Sequence, residues 1–155
     1  MNFTVRGIPQ SLADEVRRTR VSPQYGHPTL LEVATGTGPC RCCLRPFVPG
    51  QEQRLLFTYR PQGEDGSLMA PGPVFIHAEP CEAYVDDGFP PGLRSLPLAF
   101  ESRAARSRVL VVLTPATTQA PESCIERLLG EPGAKWLHLR HAEAGCFVAR
   151  VERLA

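Results

Sequence analysis

The chain has 155 residues, of which 43% are hydrophobic and 21% charged, and a formal net charge of +1. Those values suit one soluble domain over residues 1–155 with a sizeable core. They give no footing for nucleic acid or an anionic membrane surface as partner. No apolar run approaches the ~20 residues of a membrane helix, and the opening Asn2-Phe3-Thr4-Val5-Arg6 lacks a signal-peptide core. The expected location is therefore the cytoplasm, where thiols stay reduced, so the six cysteines are not read as a disulfide framework. All basic residues but Lys135 are arginine, the better residue for gripping a planar anion.

In chain order, Phe3 to Ile8 reads as a short strand. Ser11 is placed to cap a helix with Asp14 and Glu15 in its first turn, Leu12 and Val16 on its apolar stripe and Pro23 as its stop. Thr29 to Ala34 reads as a strand or short buried segment. Arg54 to Arg60 and Pro73 to Ala78 are strands, separated by the polar, mobile-looking loop Gln62 to Gly72. Pro80 to Tyr84 suits a short helical turn, and Asp86 to Pro97 a loop. Leu98 to Ser102 and Arg108 to Leu113 form a strand pair, the second so continuously apolar that a central place is expected. Pro121 to Gly130 has proline at its start, glycine at its end and Ile125, Leu128 and Leu129 at helical spacing. Ala134 to Arg140 and Cys146 to Leu154 make a hairpin around His141 to Gly145. The short connections argue for an α+β fold, with a mostly antiparallel or mixed sheet and about two helices on one face. Neither a dinucleotide-binding glycine pattern nor a Walker phosphate loop is present.

The stretch Pro39-Cys40-Arg41-Cys42-Cys43-Leu44-Arg45-Pro46 concentrates three thiols. Its Cys-x-x-Cys lacks the helix that a thioredoxin-like motif needs, because Pro46 follows at once. A structural zinc site needs four ligands, often two close pairs. Cys40 with Cys43, and His77 with Cys81, offer such pairs, with His138 or Cys146 as substitutes; no other cofactor is indicated. His138 and Arg140 alternate with Leu137 and Leu139 and share a strand face with Trp136, which by itself reads as a solvated face. Cys146 leads the partner strand and is expected near Arg140, where an arginine can hold an anion in a bidentate fork or activate a thiol. Cys124 is expected in the core, and His27 and His141 at the surface.

The ordered set Pro39-Cys40, Cys43-Leu44, Pro49-Gly50, Leu55-Leu56 to Tyr59, Gly72-Pro-Val-Phe-Ile-His77-Ala, Cys81, Tyr84, His138-Leu-Arg140 and Gly145-Cys146-Phe147 resembles a bacterial domain-of-unknown-function family, number 1203. The resemblance spans nearly the whole chain. It implies a small single-domain protein and no assigned reaction. It places family cysteines at Cys40, Cys43, Cys81 and Cys146 and family histidines at His77 and His138, and leaves Cys42 and Cys124 outside the pattern.

Three readings stand open. The first is a pocket lined by cysteine, histidine and arginine that takes a small anionic ligand or a metal ion. Arg41, Cys43, Tyr84 and Arg140 are its ligand-binding candidates, and Cys40, Cys43, His77 and Cys81 its metal candidates. The second is an enzyme whose thiolate, Cys40 or Cys146, is activated by His77 or His138. The third is a structural or interaction protein with buried thiols and no reaction. Oligomeric state is not legible.

Overall fold

Alternation of apolar and polar residues along the strands builds an α+β fold of two antiparallel sheets in a computed structural model that describes residues 2–63, 65–115 and 119–154. The strands are β1 (Phe3–Arg6), β2 (Leu30–Val33), β3 (Gln53–Tyr59), β4 (Gly72–His77), β5 (Leu98–Arg103), β6 (Val109–Leu113), β7 (Trp136–His141) and β8 (Phe147–Arg153), and the helices are α1 (Gln10–Thr19) and α2 (Pro121–Leu129). The larger sheet runs β1-β8-β7-β5-β6 and the smaller β2-β3-β4. No helix among the described residues is long and apolar enough to cross a membrane.

Each sheet has its own core and its own helix. The larger sheet turns Leu98, Phe100, Leu137, Leu139 and Val151 onto Ile125, Leu128 and Leu129 of α2. Proline in the first turn of α2 has no hydrogen-bonding role to lose there, and Gly130 closes its end. The smaller sheet supplies Leu55, Phe57, Val74 and Ile76 to a second core, which also takes Ala13 and Val16 from α1 and the thiols of Cys40, Cys42 and Cys43.

Several elements differ from their sequence reading for identifiable reasons. Helix α1 starts one residue before Ser11, whose side chain caps nothing; the carbonyl of Pro9 accepts from Leu12 N and Ala13 N instead. It ends in a left-handed Arg20 (φ 57°) ahead of Pro23. Strand β2 is not buried: Leu30, Leu31 and Val33 are all exposed. Strand β6, despite its continuous apolar run, is an edge strand, and β7 and β8 lie inside the sheet. The segment after Pro80 is extended and irregular rather than helical. A single 3₁₀ turn, Pro91–Leu93, interrupts the loop expected over residues 86–97. Glu64, in the loop between β3 and β4, lies outside the described residues.

The cysteine stretch packs against the chain just after β1. Ile8 N donates to the carbonyl of Arg41 at 2.7 Å. Gly7 permits this approach, because a Cβ built there would stand 2.0 Å from Arg41 O and 3.0 Å from a Leu44 methyl. Relieving that overlap requires backbone movement. Gly7→Ala is expected to destabilise the protein by about 1–3 kcal/mol or more, the usual cost of overpacking, seen as a lowered midpoint in thermal or urea unfolding.

Candidate metal centre

Residues 41–43 form a tight turn rather than a helix. Leu44 N closes it onto Cys40 O at 2.9 Å, and Leu44 takes a positive φ of 59° to do so. Such a φ is uncommon for a branched side chain and is held here by complete burial of Leu44. The turn throws Cys40 Sγ and Cys43 Sγ to one side. Arg41 N bonds Phe75 O at 2.9 Å, which sets the turn beside β4. His77 ends β4, and the chain then bends back to present Cys81.

The result is a cluster. One donor atom each from Cys40, Cys43, His77 and Cys81 lies within 4.8 Å of every other. Cys40 Sγ and Cys81 Sγ are 3.9 Å apart, and Cys43 Sγ is 3.5 Å from His77 Nδ1. Sulfurs at 2.3 Å from a tetrahedral zinc ion are separated by about 3.8 Å, and sulfur and nitrogen on the same ion by about 3.6 Å. These donors can therefore hold a metal ion with little rearrangement. Cys42, the third thiol of the turn, is buried in the smaller core and does not join the four. Its thiol nonetheless interacts with that of Cys81, which pulls the Cys42 pKa down.

The surroundings orient the donors. His77 Nε2 meets Glu52 Oε2 at 3.0 Å, so the carboxylate fixes the imidazole with Nδ1 toward the thiols. A carboxylate–histidine–metal relay has this arrangement. Backbone N–H of His77 donates to Cys40 Sγ at 3.3 Å. Arg17 Nη2 donates to Cys81 Sγ at 2.8 Å, and its Nε donates to His77 O at 2.9 Å. Phe47 packs its ring 4.5 Å from that of His77. Hydrogen bonds from Cys40 and then Cys81 hold the Cys43 thiol far below its ordinary range, and Cys40, the donor, is pushed up correspondingly. Bonds to Cys40 and Cys43 raise His77 to about 10. The cluster thus sets one low-pKa thiol, Cys43, beside a His77 imidazole held protonated, while Cys40 and Cys81 are pushed above their ordinary range.

The remaining candidates fall elsewhere. Tyr84 lines a cavity of about 790 Å³ beside the centre, whose walls include Cys43, Arg45 and Cys81. Its hydroxyl donates to Gly88 O at 3.4 Å. His138, Arg140 and Cys146 line a separate cavity of about 230 Å³ with Glu101 and Arg103. The strand face carrying His138 is not solvated, since the His138 side chain is 9% exposed. Arg41 joins the two regions. Buried, it donates from Nε to Phe147 O and from Nη1 to Pro39 O, both at 2.6 Å, and from Nη2 to Cys146 Sγ at 3.2 Å. All six cysteines are free thiols, and Cys124 packs in the larger core. His27 is half-buried, with Thr58 N donating to its Nε2 at 3.2 Å. His141 shapes the β7–β8 turn by accepting from Glu143 N and Ala144 N.

Sequence reasoning passes over Glu52, Arg17, Glu101 and Arg103. Arg17 looks like an ordinary basic residue near a helix end, and only the packing of α1 beside β4 aims it at Cys81. Glu52 acquires a role only when the Pro49-Gly50 turn lays it against His77.

An α+β protein with a buried three-cysteine, one-histidine cluster is the class that this fold and site define. The chain belongs to a family of proteins of unknown function, DUF1203, whose model matches residues 37–153. No curated protein and no solved structure matches it.

Burial, and then the nearby Arg103 guanidinium, hold His138 down to about 4 from 6.5. The unfolded chain therefore binds a proton between those values that the folded chain refuses. Stability associated with this group is complete above about pH 6.5 and is lost as pH falls through 4, by on the order of 3 kcal/mol in all. His138→Gln should flatten the fall in stability between pH 6.5 and pH 4, measured by urea unfolding against the parent protein.

Proposed function

We propose that this protein is a zinc-binding protein in which Cys40, Cys43, His77 and Cys81 hold one ion at a closed tetrahedral site. The observation that carries the reading is the mutual 4.8 Å packing of the four donor atoms, with Glu52 already seated on the far nitrogen of His77. Three sulfurs and one imidazole are a donor set that suits zinc. Three thiolates on a dication leave one negative charge, and the Arg17 guanidinium at 2.8 Å from Cys81 Sγ offsets it. Four protein ligands leave no position for water or substrate, so the ion acts structurally. It ties the turn at residues 40–43 to the end of β4 and to the segment after it. Cys40 and His77 are ligands under this reading, not a nucleophile and its base.

Protein purified without chelator should carry about one equivalent of zinc per chain by elemental analysis, and Cys43→Ser should lose most of it. Glu52→Gln, which keeps the fold but weakens the support of His77, should loosen zinc by about 10- to 100-fold in a competition titration. Metal-free protein whose cluster thiols all titrate freely, and which takes up no zinc when it is supplied, would overturn the reading.

A further inference from the structure

The alternation of β5 and β7 sends Glu101 and Arg103, and His138 and Arg140, to the face of the larger sheet opposite α2. That face is covered by Met69 to Gly72, where the chain enters β4, and by Cys146 just before β8, which together close the cavity of about 230 Å³. Its wall chemistry is unusual for an interior. Glu101 pairs with Arg103 at 2.7 Å and stands 3.5 Å from Arg140 Nε. One carboxylate thus faces two guanidinium groups. Arg103 is further occupied by Ser107 O at 2.6 Å. Among the described residues Arg140 makes only 3.5 Å polar contacts, to Glu101 and to the carbonyl of His141, and its side chain is 28% exposed.

Two further observations point to a ligand. His138, nine-tenths buried, lines the cavity without a hydrogen bond among the described residues, and its Nε2 is 4.0 Å from Glu101 Oε1. Arg41 closes the region behind Cys146, buried and with no carboxylate among the described residues within ion-pair distance; its partners are two carbonyls and Cys146 Sγ. Positive charge exceeds negative around this space, and an imidazole with no hydrogen bond among the described residues lines it. Buried polar groups are ordinarily satisfied, and an arginine beside a donor is how proteins hold planar oxyanions.

We propose that this cavity binds a small oxyanion, a carboxylate or a phosphate, gripped by Arg140 and His138, with Cys146 Sγ in its wall. The site is separate from the metal centre and does not depend on it.

Cys146 reports on the cavity directly. Iodoacetate and iodoacetamide both alkylate a thiol. A carbon–sulfur bond forms, the carbon–iodine bond breaks, iodide leaves and the thiol proton passes to water. Only iodoacetate carries the carboxylate. With labelling read at Cys146 alone by peptide mass spectrometry, the iodoacetate-to-iodoacetamide rate ratio should exceed that of glutathione by about tenfold or more. Arg140→Gln should return the ratio to the glutathione value, because dividing by the iodoacetamide rate cancels any change in the reactivity of the thiol itself. Acetate or inorganic phosphate should slow iodoacetamide labelling, and the stronger competitor identifies which oxyanion the cavity prefers. A ratio equal to that of glutathione, a ratio unchanged in Arg140→Gln, or labelling indifferent to both anions would overturn the proposal. Because the readout is confined to Cys146, it stands whether or not zinc occupies the other cluster.

Discussion

The guanidinium of Arg41 is the contact on which the arrangement turns. It leaves the middle of the cysteine turn, crosses to the larger sheet and donates to Phe147 O and Cys146 Sγ, with Pro39 O behind it. Burial pushes its pKa down, and proximity to Cys146 opposes that shift. A buried cation is tolerated only when its hydrogens are satisfied, and here backbone carbonyls and a sulfur satisfy them. The same residue uses its backbone N–H and carbonyl to hold β4 and the chain after β1. One residue thus ties the cysteine turn to a strand of each sheet, β8 through Phe147 O and β4 through Phe75 O.

This bridging explains why the larger sheet has two buried faces of different character. One is aliphatic and meets α2. The other carries Glu101, Arg103, His138 and Arg140, and the smaller sheet's connections cover it. Charged groups on a covered face are costly unless they pair. The Glu101–Arg103 pair meets much of that cost, whereas His138 and Arg140 are left loosely held. The Cys40, Cys43, His77 and Cys81 cluster is the opposite case. Glu52 holds His77, Arg17 holds Cys81 and the His77 N–H holds Cys40 Sγ, the kind of outer support that fixes the geometry of metal ligands.

Much of this was readable in the residues. Apolar and aromatic runs bounded by turn residues located β3, β4, β5, β7 and β8, and the proline and glycine at its ends bounded α2. Ligand spacing offered Cys40 with Cys43 and His77 with Cys81 as candidate pairs, the four whose donor atoms lie together, and Pro46 ruled out a helix after the cysteines. Other features depend on tertiary placement and leave no local mark. Apolar runs do not distinguish an edge strand from a central one when packing decides, so β6 was misplaced. An exposed β2 and a buried His138 reverse what hydropathy suggests, because another part of the chain uncovers the one and covers the other. A single converging pocket was expected from seven scattered side chains. The fold sorts them into two groups, since His138 and Arg140 point off a different sheet from the one that carries His77.

The donors of the cluster come from two stretches, with Cys43 and His77 34 positions apart. The first pair is held by a local turn. The second meets it where β4, paired with β3, ends and the chain reverses beyond His77. An ion bound by all four donors would therefore require the smaller sheet in its native register. Closing so long a loop restricts the unfolded ensemble as well, so an ion held there acts as a clasp between segments that the chain alone joins only distantly.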